Sequence, residues 1–336
     1  MISQNAQLHT DALTMSKLEQ KPTRAGFGEG LVEAGGKDST IVALCADLTE
    51  STAIMPFKKK YPSRFVEIGV AEQNMAGVAS GMAALGKLPV ISSYAMFSPG
   101  RNWEQIRTTI CYNEQPVIIV GSHAGVSVGP DGATHQAVED MAIMRVLPGM
   151  TVVSPCDMIE AKKAMLAAAA LRKPLYLRLH REKSPIFTTI ATPFTIGKAE
   201  IFFDSDSVAC DVAFIAVGPL VHNALLAAHE LEKAGKKARV INCHTIKPLD
   251  EKIIVDALRL ARCAVTVEEH QVAGGLGSVV AELATRECPV PIECVGVQNR
   301  FGESGDKDEL IEHFGMGVSH VVAAAEKVIQ RKTLSL

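Results

Sequence analysis

The sequence is poor in aromatic residues: one tryptophan and four tyrosines stand among 336 residues. Any place where rings gather is therefore informative. It also lacks a charge of one sign, since 34 Lys and Arg against 37 Asp and Glu leave a formal net charge of −3. That excludes a basic field for nucleic acid and a polybasic membrane patch. No long apolar run is clean; the nearest candidate, Met75 to Phe97, is broken by Lys87 and Pro89, so no bilayer-spanning helix and no membrane partner are expected. The first 20 residues have no apolar core of a signal peptide and read as a polar tail. Eight cysteines are present, but without a CxxC pair or a Cys/His cluster of zinc spacing. Most lie in apolar strands, where a thiol acts as a small hydrophobe. A disulfide framework and a metal site on this chain are thus not expected, and the setting implied is reducing and cytoplasmic.

What is present is a regular alternation. Short apolar runs (Thr40–Cys45, Phe65–Ile68, Pro89–Ser92, Val117–Val120, Thr151–Ser154 and Leu175–Leu177) are separated by helical stretches such as Ala71–Leu85, Trp103–Cys111 and Met158–Leu171. A parallel strand pair needs a long crossover, so this pattern predicts βαβ units. It stops at His180 to Lys198, which has no helical period and carries Pro185 and Pro193. A second series follows, with strands Val212–Val217, Ala238–Ile241, Ala264–Glu268 and Ile292–Val295 and helices Leu220–Lys233, Leu276–Arg286 and Val318–Ile329. The expected fold is α/β, as two consecutive α/β domains, the second smaller. The expected division is a tail over 1–20, a first domain over 21–182, a linker over 183–197 and a second domain over 198–336.

The stretch FVEIGVAEQNMAGVASGMAALG, Phe65 to Gly86, sets one carboxylate, Glu72, at the start of a helix of small and apolar residues. Another backbone can approach such a helix closely. A carboxylate there is costly to bury unless its charge or proton is accepted, although an acid in a first turn also serves the helix dipole. The loop GSHAGVSVGPDGATHQAVED, Gly121 to Asp140, follows the strand VIIV and precedes a helix, the place where α/β folds bind ligands. Its His123, Asp131 and His135 can hydrogen-bond sugar hydroxyls and move protons near neutral pH. Asp131-Gly132 reads equally as a turn and His135 as a helix cap. The rings gather in SSYAMFSPGRNWEQIR, where Tyr94, Phe97 and Trp103 suit either core packing or stacking on a planar ligand. Arg24, Ser51 and Arg181 are scattered, and a lone arginine is ordinarily a solvated one. AGGLGS, Ala273 to Ser278, lacks the third glycine of a dinucleotide fingerprint, since Val280 takes its place, and reads as a tight turn. His222, His229, His244, His313 and His320 form no cluster and read as packed or surface histidines.

These segments together resemble the transketolase group of thiamine-diphosphate enzymes, from Arg24 to the C-terminus. IGVAEQNMAG is similar to the family's strand, Gly-Val, one residue, Glu, small-residue helix. The resemblance implies that Glu72 is a largely buried residue that hydrogen-bonds N1′ of the cofactor's aminopyrimidine. The first histidine, Asp131 and the His-Gln pair fit the family's sugar loop, which implies that His123 and His135 are catalytic and that both, with Asp131, bind substrate. Arg24, Ser51, His123 and Arg181 match positions that hold the substrate's phosphate, a role suited to arginine's planar fork. Phe97 and Tyr94 match the pocket that stacks on the aminopyrimidine, and Asp47 a position beside the cofactor. The first domain is then a pyrimidine-binding domain and the second a transketolase C-terminal-like domain. The GDG segment through which the family holds Mg²⁺ and the diphosphate is not found. The resemblance therefore implies thiamine diphosphate as cofactor, with Mg²⁺ held by a partner subunit carrying the diphosphate-binding domain, in an α2β2 heterotetramer acting on sugar phosphates. Two related enzymes share parts of the pattern. Deoxyxylulose-phosphate synthases usually carry arginine where this chain has His123, and 2-oxo-acid dehydrogenase β subunits lack the sugar-phosphate set. A degenerate regulatory subunit is the non-enzyme reading, against which Glu72, Asp131 and His135 together argue.

Overall fold

In the computed structural model, which describes residues 1–334, two parallel sheets carry the chain. The first has seven strands in the order Thr245–Lys247, Thr151–Val153, Leu175–Arg178, Ile118–Ser122, Leu88–Tyr94, Ile41–Cys45, Phe65–Glu67. Six of these are parallel, as the alternation predicted. The seventh, Thr245–Lys247, comes from the second half of the sequence and adds antiparallel to Thr151–Val153. The second sheet runs Ile292–Val297, Ala264–Gln271, Val212–Ala216, Ala238–Asn242, Glu200–Asp204, with the last strand antiparallel at the edge. The protein is thus α/β, with two consecutive α/β domains.

Successive strand residues face opposite sides of a sheet, and the first sheet uses both. Ile41 and Ala43 join Val90, Ile118, Val120, Leu175 and Leu177 in a core under the helices Thr23–Lys37 and Met158–Leu171. Val42 and Leu44 face the other way, into a core shared with Ile215, Ile241, Ile254 and Leu258 of the second domain. The domains are therefore held by one continuous apolar layer. The helix Thr23–Lys37 owes its glycines to its neighbour: a Cβ on Gly26 would lie 1.8 Å from the carbonyl oxygen of Met158. Only a hydrogen there lets the two helices meet backbone to backbone.

The stretch read as a tail is folded down. Ser3 N–H donates to the Phe202 carbonyl at 3.0 Å, and Ala6, Ala12 and Leu18 are buried with Phe187, Phe202 and Phe203. Their irregular spacing gives no period that a sequence reading can use. The stretch read as a linker is also fixed. The carboxylate of Asp157 accepts the N–H groups of Phe187 and Thr188 at 3.0 and 2.7 Å, and Ser184–Pro185 pairs with Gln20–Lys21.

Candidate active site

Every residue singled out for chemistry lies at or beyond the carboxyl end of a strand in the first sheet, or, for Arg24, begins the helix packed over it. Glu72 opens the helix Glu72–Ala84 and is 1% exposed. Its Oε2 accepts from Nη1 of Arg101 at 3.0 Å, and Asn102 Nδ2 donates to its backbone carbonyl at 3.1 Å. Arg101 is 51% exposed and its guanidinium lies 5.1 Å from the centre of the Phe97 ring. One planar cation thus spans the ring and the buried acid. Cationic groups stack favourably on aromatic faces, so the arrangement is stabilised at both ends.

Phe97 belongs to a cluster of four rings. Tyr94 stacks on His123 with centroids 3.8 Å apart, Tyr94 and Phe97 lie 6.0 Å apart, and His135 stands edge-on to Phe97 at 5.5 Å. These rings gather beyond two adjacent strand ends, Leu88–Tyr94 and Ile118–Ser122, paired Tyr94 to Ser122. His123 is buried and takes a left-handed φ of 57°, a conformation uncommon outside glycine. Ser122 Oγ lies 2.9 Å from its Nδ1. Burial first, then the neighbouring Arg24, Arg181 and His135, lower its pKa to about 3. It is a neutral imidazole near pH 7, with one nitrogen as donor and the other as acceptor. Thr134 Oγ1 lies 2.9 Å from Nδ1 of His135.

The cations gather at one side of this cluster. Arg24 Nε donates to the carbonyl of Arg181 at 3.3 Å, and its Nη1 donates to the carbonyl of Ser51. Arg181 donates to the Val128 carbonyl at 2.6 Å and stands 3.7 Å from Asp131 and 3.5 Å from Glu182. Arg24 is half-buried, and burial followed by the repulsion of Arg181 lowers its pKa. Both carboxylates stand on Arg181, at 3.5 Å or more, while the partners of Arg24 are backbone carbonyls, so its guanidinium is available to an anion. Asp47 follows the neighbouring strand in a left-handed conformation, φ 58°. Its backbone N–H and that of Gly69 both donate to Glu67 Oε1, at 2.7 and 3.1 Å.

The structure therefore brings together Glu72, Tyr94, Phe97, His123 and His135, and beside them Arg24, Ser51, Asp131 and Arg181. It adds four residues to which the sequence assigned no role. Arg101 is the partner of Glu72; its proximity to Phe97 in SPGR was the available signal. Glu67 ties two strand-end loops together. Gln136, 2% exposed, ties down the loop that carries Asp131 and His135 through the carbonyls of Val126, Gly129 and Glu303. Arg178 is buried against Asp140, Nε to Oδ2 at 2.8 Å, with Tyr176 donating to the same oxygen at 2.6 Å. No periodicity marks a buried ion pair between residues so far apart in the chain. Among the described residues, no group of three or more His, Cys, Asp and Glu could hold a metal ion.

Known proteins share both domains. The family descriptions "Transketolase, pyrimidine binding domain" and "Transketolase, C-terminal domain" match residues 19–186 and 203–321. The chain is 40% identical over 316 residues to the 6-deoxy-6-sulfo-D-fructose transketolase subunit of Clostridium sp. (strain MSTE9), covering 94% of this chain and 97% of that one. It is 33% identical over 309 residues to an apulose-4-phosphate transketolase subunit of Phocaeicola vulgatus, covering 92% and 97%. A solved structure described as a split gene transketolase, inactive beta4 tetramer, superposes with a TM-score of 0.86 at 41% identity, over 93% of this chain and 99% of that chain. The chain belongs to the transketolase family and carries its pyrimidine-binding and C-terminal domains.

Proposed function

We propose that this chain is the C-terminal subunit of a two-chain, thiamine-diphosphate-dependent transketolase. It moves a two-carbon ketol unit from a ketose phosphate to an aldose phosphate. The observation that carries the reading is the joint placement, on one sheet edge, of a buried carboxylate, a ring cluster and a paired-arginine anion site. When bound, thiamine diphosphate supplies the carbanion chemistry of ketol transfer. The residues fit its aminopyrimidine half: Phe97 and Tyr94 offer faces, and Glu72 offers a carboxylate shielded from water. Glu72 would hold the ring's N1′ edge by hydrogen bonding, and its Oε1 is available for this because Arg101 engages Oε2. His135, edge-on to Phe97, faces the developing charge on the substrate oxygen, and neutral His123 donates at the phosphate side. Asp131 reads a sugar hydroxyl, and Arg24 and Arg181 hold the terminal anion through charge-assisted hydrogen bonds.

The relatives' names are consistent with an anionic sugar, since one is named for a sulfonated and another for a phosphorylated sugar. His123 disfavours the deoxyxylulose-phosphate-synthase alternative. Mg²⁺ and the diphosphate are held by an N-terminal partner subunit, in an assembly proposed as α2β2 with two-fold symmetry. A family likeness to a chain described as inactive when assembled from one subunit type supports the need for that partner. The test is calorimetry of the purified chain with thiamine diphosphate and Mg²⁺, with and without the neighbouring gene's product. Cofactor binding and ketol transfer are expected only in the mixture. Micromolar binding and turnover by the chain alone would overturn the two-chain reading.

A further inference from the structure

The loop that carries Asp131 and His135 is not held by its own domain alone. At its near end, the N–H of Ser127 donates to Oε1 of Glu269 at 2.6 Å. Glu269 is buried in the strand Ala264–Gln271 of the second domain. The loop and this strand are so close that a Cβ on Gly125 would lie 2.1 Å from the same oxygen. At its far end, Gln136 Nε2 donates to Val126 O at 2.9 Å and to Glu303 O at 2.8 Å, with Gly129 O at 3.3 Å. Three carbonyls around one atom fix which end of the amide is nitrogen, since only N–H can satisfy them. One amide thus closes the loop on itself and fastens it to the second domain.

The second domain's side of this tie is built for the purpose. The carbonyl of Arg300 accepts from Gln271 Nε2 at 2.8 Å, and Asn299 N–H donates to Gln271 Oε1 at 3.0 Å. Gln271 N–H in turn donates to the Val138 carbonyl at 2.7 Å, just past the sugar-type loop. The segment then passes under Gln136 at Gly302, where a Cβ would lie 1.7 Å from Gln136 Oε1. A Cβ on Gly132 would meet Ser304 Oγ at 2.5 Å. Two segments from different domains therefore approach closely where glycine alone leaves room.

From this we infer that Gln136 and the second domain's 299–305 segment are the positioning device for Asp131 and His135. The C-terminal domain sets the shape of the sugar-reading loop without touching substrate. The inference rests on the proposed ketol transfer only for what the loop reads; the mechanical coupling stands on geometry alone. Gly302→Ala is the probe, because Gly302 does not have the positive φ that would make alanine strained. Loss of the two N–H donations of Gln136 is expected to raise loop opening about tenfold.

The experiment has two readouts. Hydrogen exchange of the full chain should show residues 126–136 exchanging about tenfold faster in Gly302→Ala, while the strands Ile118–Ser122 and Val212–Ala216 keep wild-type rates. With the partner subunit, kcat/KM for the ketose donor should fall about tenfold, while thiamine-diphosphate affinity, which depends on Glu72 and the rings, stays within about twofold. In a Gln136→Ala background the same glycine substitution should cost almost nothing further, because the two act as one unit. Should Gly302→Ala unfold the second domain, Gln136→Met keeps length and burial, removes both N–H donors, and must produce the same loop-confined exchange. Wild-type exchange over 126–136 in both variants, or additive losses in the double variant, overturns the inference. Faster exchange in a complex without ketol transfer would instead sink the proposed activity and leave the coupling standing.

Discussion

The two parallel sheets end differently at their carboxyl edges. In the first, the edge opens to solvent: Tyr94, Phe97, His135, Arg24, Ser51 and Arg181 are all half-buried, and Asp47 and His123 hold left-handed backbones. In the second, the corresponding residues are turned onto the first domain. Glu268, Glu269 and His270 are buried, and Glu268 accepts the N–H groups of Leu276 and Gly277, each at 2.7 Å. Burial pushes Glu268 up to about 8 and lowers His270 to about 4. The same architecture thus gives an open edge, which water and a ligand can reach, and a supporting edge where another domain covers it. The carboxyl edge offers the position; what lies over it decides the use.

Two arginines sharpen the contrast. Arg178 lies at the end of its strand with its side chain 1% exposed against Asp140, while Arg181, just beyond, is 29% exposed among carbonyls and weakly paired carboxylates. Removing one member of a buried pair leaves an uncompensated charge. Arg178→Met should lower unfolding free energy by about 3–5 kcal/mol in a urea titration, if the chain folds at all. A loss of under about 1 kcal/mol would mean that Asp140 finds other compensation.

Glu72→Gln keeps the shape of the buried acid and removes the carboxylate that the proposed contact with the cofactor uses. In the assembled enzyme kcat should fall about 10²-fold or more, while the assembly stays folded and intact. Turnover within a few-fold of wild type would remove Glu72 from the chemistry.

The covered edge predicts a pH effect. His244 follows the strand Ala238–Asn242, stacks 4.2 Å from Phe194, and burial lowers its pKa to about 3. It is neutral in the fold, while the unfolded chain takes up a proton below about 6.5. The unfolded state therefore binds more protons, and stability is lost as pH falls from about 6.5 toward about 3. For this one group the loss by about pH 5 is about 2 kcal/mol by linkage. His244→Phe should shrink the drop in Tm between about pH 7 and about pH 5; an unchanged slope would show that the folded imidazole protonates normally.

The open edge predicts the smallest effect and the most selective one. Arg181→Ala should raise KM for phosphorylated sugars about tenfold, since a charged hydrogen bond contributes about 1.5–3 kcal/mol. Turnover of glycolaldehyde as acceptor should be nearly unaffected. Equal losses with both acceptors would assign Arg181 to the fold or the cofactor. His135→Ala should act mainly on kcat, because its proposed contact would strengthen as charge develops; a pure KM effect would move His135 away from the reacting centre.

By itself the sequence determined the parallel strands, though not the antiparallel edge strands Glu200–Asp204 and Thr245–Lys247, and the edge on which the chemistry-bearing residues fall. Short apolar runs separated by helices admit little besides parallel βαβ units, and a residue after such a strand lies at the carboxyl edge. IGVAEQNMAG and DGATHQ are local, so Glu72, Asp131 and His135 were legible as candidates. Tertiary structure alone decided the rest. Met1–Gln20 and Thr245–Lys247 cross to distant elements through contacts with no sequence period. Arg101 reaches Glu72 across 29 residues, Gln136 reaches Glu303 across 167, and Arg178 meets Asp140 across 38. Each depends on which side chains two separately folded segments present to one another. A hydrogen bond or ion pair of that kind leaves no mark on the chain until both ends are in place, because its energy comes from the dry, fixed geometry that only packing supplies.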